Sequence, residues 1–494
     1  MGQVTDQQLF IPRVGIDRSQ NADARSTMQS AFFQCLLGWS SSPFPLFPSV
    51  PTVFIKTSKG CLMSDLLQPA RVEWNRRAAT HLLWRTGFGA SAADIDLAVK
   101  DGLDGTLQRL LTPQPETPSF QAADKLLKQA ALDSGNVLDL KAWWLHRLTA
   151  SANPLLEKLT LLWHNHFATS NTKVDSVALM LAQNELLRRE SFGSFRRVLH
   201  GISKDVAMLV WLDSNANRKR HPNENFAREL MELFSLGVGN YSEHDIQEAA
   251  RAFTGWHVRN AEFWMNSIQH DTGSKTVFGK TGNFDGQDVV ELCLAHEACP
   301  RFLAFKLLRQ FVRQQPLPEH IAALAARIRH HNFEWQPVLR ELFASQLFFA
   351  DEHRNALIKS PLELVLGAIR SLDAKPQLQN VAKLCAELGQ SPFEPPTVKG
   401  WDGGRLWISS TTLIQRANFA TTLVRTNQLG TITVPVSRGP DEITDLAELL
   451  LARDLTDDAK TALQTIRQSQ SGDANQRTSG VLQFLMQMPE YQLA

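Results

Sequence analysis

The side chains best suited to chemistry begin with two histidines in the run WHNHF at 163–167. Imidazole changes its charge near neutral pH and is also the commonest metal ligand among side chains. His164 and His166 stand two positions apart, so on a regular helix they point about 200° away from each other. They can serve one site only if the helix ends here, and the run Ala-Thr-Ser-Asn that follows is typical of a helix end. Two interpretations stay open: a polar functional site, or two histidines that make structural hydrogen bonds.

A second polar set lies in the run NENFARELMELFSLG at 223–237, where four side chains recur at helical spacing away from the apolar face. We name this set the ridge; it consists of Asn225, Arg228, Glu229 and Glu232. Such a stripe is usually a solvated charged face. Asn225 favours a further role, because an asparagine inside a helix competes with the backbone hydrogen bonds.

We predict that the histidine pair and the ridge meet across a helix–helix contact and form one polar pocket. Imidazole and carboxylate groups together can hold a metal ion, or act as general base and general acid. The identity of any metal or cofactor stays open at this point. The candidate catalytic residues are His164, His166, Asn225, Arg228, Glu229 and Glu232.

Two helices must position the ridge and the residues after it. The first is predicted to end at Gly237, where the backbone can turn left-handed. The second is predicted to begin at Ser242, because Ser242 and Asp245 match a capping box. Arg251 would lie beside a packed surface on that second helix, and Glu248 is its predicted partner within the helix.

The composition excludes several classes of protein. The formal net charge is +1, which argues against nucleic-acid binding. Five scattered cysteines match neither a disulfide framework nor a zinc pattern. No apolar run is long enough for an integral membrane segment. No basic start precedes an apolar run, so no signal peptide is predicted and the cytoplasm is the default expectation.

The chain divides into two parts of different character. Residues 1–62 lack helical periodicity and contain SSSPFPLFPSVPT, so we expect a disordered extension. Amphipathic sequence begins directly after Met63, and one hypothesis is that translation starts there. Residues 63–494 show helical periodicity between irregular loops and no long strand alternation, which predicts a single large all-α, multi-helical domain.

Five motifs in their order along the chain resemble one large bacterial family, the domain of unknown function 1800. They are RRAATHLLWRTGFG, LTLLWHNHFATS, the 223–256 helix pair, PPTVKGWDGGRLWISS and the terminal MPEYQ, and the resemblance covers residues 70–494. It implies an all-α domain, relatives that are often exported, and a partner from a sulfatase-like family whose genes lie nearby. It implies no established activity. The positions that it singles out are His164, Asn165, His166, Asn223, Asn225, Arg228, Glu229, Glu232, Asp245, Glu248, Arg251, Gly400, Trp401, Gly403 and Gly404.

Two function classes follow from these observations. The first is an enzyme or binding protein whose His/Asn/Arg/Glu pocket takes a metal or a small molecule. The second is a non-catalytic helical scaffold or partner-binding protein, in which the polar cluster specifies the packing. A di-iron bundle is disfavoured because the ridge lacks a Glu-x-x-His pair. Nucleic-acid binding through residues 217–221 is disfavoured by the net charge. The oligomeric state stays open.

Overall fold

The computed structural model describes residues 66–494 except 427, 433–440 and 452. Within those residues most of the chain is helical, and the strands form only three two-stranded pairs. The predicted all-α, multi-helical class is therefore confirmed. The expected disordered extension 1–62, and the hypothesis of a start at Met63, lie outside the described residues.

The first half of the described chain is a run of helices joined by short turns, and it contains one π-helix, Leu230–Ser235, directly after α10. The α-helices of this half are α1 Arg76–Thr86, α2 Ala92–Leu111, α3 Pro118–Ser134, α4 Val137–Ala150, α5 Pro154–His166, α6 Asn171–Val174, α7 Val177–Glu190, α8 Phe195–Ser203, α9 Val206–Trp211, α10 Asn225–Glu229 and α11 Glu243–Ala252.

Two hairpins separate the halves, and a third strand pair closes a loop near the C-terminal helices. The strands are β1 Trp256–Arg259, β2 Glu262–Met265, β3 Lys275–Val277, β4 Lys280–Gly282, β5 Lys375–Pro376 and β6 Gly430–Thr431. The remaining α-helices are α12 Gly286–Ala295, α13 Ala298–Phe311, α14 Pro318–His330, α15 Trp335–Phe343, α16 Gln346–Phe349, α17 Pro361–Ser371, α18 Leu378–Glu387, α19 Ser410–Arg425, α20 Glu442–Leu450, α21 Asp457–Ser469 and α22 Ala474–Gln487. Short 3₁₀ turns are Ser214–Ala216, Ser267–Gln269, Asp351–His353, Gly404–Trp407 and Pro489–Gln492.

Helix α5 lies inside the molecule, with nearly every position buried. Its two charged residues, Glu157 and Lys158, are therefore buried as well and need partners. Glu157 accepts hydrogen bonds from Arg147 at 2.9 Å and from Arg188 at 2.7 Å, and Lys158 donates to Glu363 at 2.5 Å. Burial alone would raise the pKa of Glu157, but the two guanidinium groups hold it below its ordinary value. These ion pairs fix the orientation of the helix that carries the histidines.

An aromatic cluster packs around the end of α5. Trp163 stacks on Trp335 with ring centroids 5.1 Å apart, and it also contacts Phe195 at 5.7 Å. His166 adds an edge-to-face contact with Phe167 at 4.5 Å. Large aromatic side chains contribute much of the energy of a core, so the histidine motif is set in an aromatic part of the core.

The helix of the ridge differs from the expected regular α-helix. From Leu230 to Ser235 it is a π-helix, in which the N–H of Leu236 donates to the carbonyl of Met231 five residues earlier at 2.9 Å. The Ser235 hydroxyl also donates to the Leu230 carbonyl at 2.5 Å. Single π-turns are rare and are often found at functional sites. Because a π-turn is wider than an α-turn, the side chains after Leu230 point in directions different from those of a regular α-helix.

None of the described helices is both long enough and apolar enough to cross a membrane.

Candidate functional site

The last turn of α5 is a junction of three chain segments. Three successive residues, His164, Asn165 and His166, each bond the backbone of a different part of the chain. Helix α5 ends at His166, as the sequence predicted, so the two imidazoles can serve different neighbours. We name this group the His-Asn-His junction.

His164 holds the loop that follows α18. The N–H of Phe393 donates to His164 Nε2 at 3.1 Å. Phe393 has a positive φ of 64°, a conformation that a bulky residue adopts only where its surroundings enforce it. The imidazole also contacts Trp144 edge-on at 5.1 Å. His164 therefore stabilises an unusual turn by hydrogen bonding and by packing.

Asn165 holds the loop KGWDGG at 399–404. Its Oδ1 accepts from the N–H of Trp401 at 2.7 Å, and its Nδ2 donates to the Trp401 carbonyl at 3.2 Å. Gly400 precedes Trp401 with a φ of +81°, and a Cβ at this position would overlap Asn165. Glycine is therefore required at 400 by the backbone angle and by the close approach. Two motifs that the family resemblance singled out separately are thus one structural unit.

His166 holds the π-helix. Its Nε2 lies 2.9 Å from the carbonyl of Phe234, and because a carbonyl can only accept, Nε2–H must be the donor. The other ring nitrogen, Nδ1, is buried without a hydrogen-bond partner among the described residues. His164, by contrast, accepts at Nε2. The two histidines are therefore fixed in opposite neutral tautomers.

Both imidazoles stay uncharged at neutral pH. Burial lowers the pKa of His164 to about 3. Burial, and then the charge of Lys306, lower the pKa of His166 to about 3 as well, against the opposing effect of its bond to Phe234. A general base works best when its pKa is near the working pH. These values favour hydrogen bonding over proton transfer as the work of the junction.

Beside the junction lies a group of cations that we name the cationic site. Lys306 and Arg309 stand one helical turn apart on α13. Arg309 donates to the carbonyl of Asp402, and Lys399 pairs with the Asp402 carboxylate at 2.6 Å. The single carboxylate of Asp402 is therefore the counter-charge for three cations, Lys306, Arg309 and Lys399, which leaves a local excess of positive charge.

Lys306 is the cation of this site that lacks a fixed partner. Its Nζ lies 5.1 Å from the centre of the Phe302 ring. It makes no hydrogen bond or ion pair within the described ranges. Burial, Arg309 and Lys399 lower the pKa of Lys306 to about 8, while Asp402 opposes the shift. A half-buried ammonium group beside two other cations is a site where an anion would be stabilised.

The KGWDGG loop is held in place by its tryptophan and its glycines. Trp401 is buried at 8% exposure, so the loop is anchored in the core. Gly404 has a φ of +60°, and a Cβ there would overlap the side chain of Gln314. The exposed side chains of Lys399 and Asp402 therefore project from a loop whose backbone is tightly constrained.

The ridge lies on the outer side of its helix and forms a network of its own. Asn225 is exposed. Arg228 pairs with Glu224 at 3.0 Å and with Glu243 at 2.7 Å, and Tyr241 donates its hydroxyl to Glu232 at 2.7 Å. Burial, and then the neighbouring Glu232 carboxylate, raise the pKa of the half-buried Glu229 to about 7.

The structure brings the histidines to the backbone of the ridge helix and not to the ridge side chains. His166 reaches the Phe234 carbonyl. No hydrogen bond or ion pair in the described part of the chain joins His164 or His166 to Arg228 or to a ridge carboxylate. No three His, Cys, Asp or Glu side chains of the described residues are grouped so as to hold a metal ion. A catalytic role for the six candidate residues stays a prediction.

The residues after the ridge fold as their spacing predicted. Ser242 and Asp245 form the expected capping box at the start of α11. Arg251 pairs with Glu248 at 2.8 Å and additionally with Asp271 at 2.9 Å. Asn223, which the family resemblance also singled out, accepts a hydrogen bond with its side-chain Oδ1 from the Asn225 N–H at 2.9 Å. These positions have structural partners.

Sequence reasoning missed Lys306 and Arg309. Their only local signal is a spacing of three residues within an otherwise apolar helix, AFKLLRQF at 304–311. Lys399 lies within the motif PPTVKGWDGGRLWISS, but a single lysine in a glycine-rich loop has no local pattern that marks it as functional. A cation in an apolar helix and a lysine in a glycine-rich loop become informative only once the two are known to be neighbours.

The fold and the site define an all-α protein in which a His-Asn-His junction with two buried histidines lies beside a cationic surface site. The chain belongs to the family described as "Protein of unknown function (DUF1800)", whose model matches residues 81–493. This confirms the resemblance seen in the motifs. No curated protein and no solved structure matches the chain.

Proposed function

We propose that the protein binds an anionic small molecule, one that carries a carboxylate or phosphate group, at the cationic site of Lys306, Arg309 and Lys399. The observation that carries this proposal is that three cations lie around one residue, Asp402: Lys399 pairs with its carboxylate, Arg309 bonds its backbone carbonyl, and Lys306 lies near enough to feel its charge. The work of the His-Asn-His junction is then to hold this site in shape.

The first support is the accessibility of the charges. The side chains of Lys399 and Asp402 are 62% and 41% exposed, so a ligand can reach them from solvent. Lys306 lies deeper, next to the Phe302 ring. A charged group that is partly removed from water interacts more strongly with an opposite charge than a fully solvated one does. An anion entering past Lys399 would gain most of its binding energy from Lys306.

The second support is preorganisation. Arg309 is bonded to the backbone of the KGWDGG loop through the Asp402 carbonyl, and Asn165 clamps the same loop at Trp401. The site therefore joins α13, α5 and the loop without needing to rearrange. Binding groups that are already in position lose little conformational entropy when a ligand arrives.

The test is a calorimetric titration with inorganic phosphate as the probe. Wild-type protein binds it, and Lys306→Met weakens binding roughly tenfold to a hundredfold, since a charge-assisted hydrogen bond contributes about 1.5–3 kcal/mol. The matched control is Arg301→Met, which removes an exposed cation from the same helix and leaves the affinity unchanged. Equal affinity in wild type and Lys306→Met would refute the proposal.

The same titration has an expected pH dependence. The pKa of Lys306 is about 8, so the ammonium form is present below that pH and is lost as the pH rises through it. Affinity for phosphate falls over that range in the wild type. In Lys306→Met this decline is absent.

A second candidate function is a non-catalytic scaffold that holds a partner. The observation that favours it is that every residue of the His-Asn-His junction is bonded to backbone and that both histidines are neutral. If the protein does not bind phosphate, and its thermal unfolding transition shows that it is folded, the scaffold function is favoured.

A further inference from the structure

A different surface of the molecule combines exposed apolar and basic side chains. It is formed by the loop 215–221, by the β1–β2 hairpin and by the 3₁₀ turn Ser267–Gln269. We name it the hairpin surface. Its exposed Lys, Arg and large apolar side chains are Arg218, Lys219, Arg220, Arg259, Trp264, Met265 and Ile268.

The basic loop is an ordered part of this surface. The backbone of Arg218 pairs with that of His221 as an isolated β-bridge. The N–H of Lys219 donates to the Gln269 carbonyl at 2.8 Å. The N–H of Val258 donates to Asn215 Oδ1 at 2.6 Å. The loop is therefore fixed on the hairpin on one side and on the 3₁₀ turn on the other.

The same contacts place Trp264 and Ile268 next to the basic residues. The Trp264 ring lies 6.2 Å from His257, whose Nε2–H donates to the Asn217 carbonyl at 3.1 Å. Ile268 is the neighbour of Gln269, to which the loop is bonded. Ile268 is 84% exposed, which is unusual for a large aliphatic side chain on an ordered turn.

The charge of the hairpin surface is strongly one-sided. Residues 215–221 and 255–269 contain four Lys or Arg side chains and a single carboxylate, Glu262. Glu262 stands opposite Arg259 in the strand register. No ion pair occupies Arg218, Lys219 or Arg220 within the described residues. The surface is thus complementary to an anionic partner.

We propose that the hairpin surface docks the protein on a membrane surface that carries anionic lipid headgroups. Basic side chains near such a surface are attracted to it, and neighbouring Trp and aliphatic side chains enter the boundary between headgroups and acyl chains. An amphipathic tryptophan is especially suited to that boundary. This mode needs no spanning segment.

The chemistry of the surface favours a membrane over a nucleic acid. The Arg259 guanidinium lies over the Trp264 ring at 5.2 Å, so one face of that ring is already covered and is closed to base stacking. Ile268 offers no hydrogen bond to a base or a phosphate. In a lipid surface the same isoleucine gains the full hydrophobic contribution of burial.

The test is co-sedimentation of the full chain with vesicles. Wild-type protein sediments with vesicles of equal parts phosphatidylcholine and phosphatidylglycerol, and not with phosphatidylcholine alone. Binding weakens as salt is added, because the attraction is screened. The triple variant Arg218→Gln, Lys219→Gln, Arg220→Gln binds about a hundredfold more weakly, since each basic residue near an anionic surface contributes roughly fivefold.

Two further variants separate charge from burial and from misfolding. Ile268→Ser retains all the charges and weakens vesicle binding roughly tenfold or more. The matched controls bind like wild type: the triple variant Lys100→Gln, Lys125→Gln, Lys383→Gln, and Leu126→Ser, which changes a side chain that is 71% exposed on α3. All of these positions are on the surface, and circular dichroism checks their folding.

Three outcomes would overturn the proposal. One is no sedimentation with the anionic vesicles. Another is equal binding by wild type and the Arg218 triple variant. The third is binding of duplex DNA that depends on the same three residues while the vesicles are ignored, which would assign the surface to nucleic acid.

Discussion

The His-Asn-His junction and the ridge are both polar sets on helices, yet they do opposite things. The two histidines of the junction are buried and Asn165 is half-buried, and each of the three side chains bonds the backbone of a segment that is distant in the chain. The ridge is half-exposed, and its side chains pair with residues that are close in the chain, as Arg228 does with Glu224 and Glu243. In this protein, the polar side chains without helical periodicity at the end of an apolar helix bond groups in the interior. The polar side chains that recur at helical spacing form a solvated face.

The two regions also differ in what loss of a side chain should do. Removing a buried hydrogen-bonding partner leaves its counterpart without water or protein to bond. Removing one member of a surface ion pair leaves the other in water. The junction should therefore be sensitive to substitution and the ridge tolerant.

The largest expected effect is at Gly400. Gly400→Ala destabilises the protein by roughly 3 kcal/mol or more, because a Cβ at a φ of +81° also overlaps Asn165. Gly239→Ala is the matched control: its φ of +86° is similar, but its Cβ would lie in open space. That control loses only about 1–2 kcal/mol. Denaturant unfolding measures the free energy of unfolding of both variants. Equal losses would show that the loop moves to accommodate the Cβ at 400, so that Asn165 does not restrict it.

A smaller effect is expected at His166. His166→Phe keeps the aromatic packing but leaves the carbonyl of Phe234 in the π-helix without its donor. The free energy of unfolding falls by about 1–3 kcal/mol. On the ridge, Arg228→Met changes it by less than about 1 kcal/mol. If the ridge variant lost as much as the junction variant in the same denaturation experiment, the distinction between the two regions would fail.

The last expected effect is about as small as that of Arg228→Met, and it carries the opposite sign. The folded protein raises the pKa of Glu229 to about 7 from an ordinary value of 4.5, so Glu229 favours folding while it is protonated. That contribution is complete below pH 4.5 and is lost as the pH rises through 7. Glu229→Gln is therefore more stable than wild type at pH 8, by roughly 1 kcal/mol once solvent screening of this half-exposed group is allowed for.

The control for this prediction is the same comparison of wild type and Glu229→Gln at a lower pH. Near pH 4, where wild-type Glu229 is protonated, the two proteins have the same free energy of unfolding. A constant difference between wild type and Glu229→Gln at both pH values would mean that the carboxylate is not the cause.

Local features of the fold were predictable from the sequence because they depend on neighbours. Ser242 and Asp245 cap α11 as expected, and Glu248 pairs with Arg251 one turn away. The end of α5 at His166 followed from the polar run behind it. In each case the interacting groups are separated by only a few residues, so their spacing carries the information.

The site was predictable only in part. The sequence identifies His164 and His166 as candidate polar residues, but it could not show that their ring nitrogens bond the backbone of Phe393 and Phe234. The π-helix could not be predicted either, because the run LMELFS at 230–235 is compatible with an α-turn and with a π-turn. The choice between the turns depends on what the helix packs against.

The sequence by itself determined an all-α protein, its helix caps and the motifs of its family, since all of these are encoded by periodicity and short-range spacing. Only the tertiary structure decided that Asn165 holds Trp401 and that Lys306, Arg309 and Lys399 share one site. Contacts between residues far apart in the chain arise from the packing of many helices at once. No local pattern specifies which distant segment a side chain will meet.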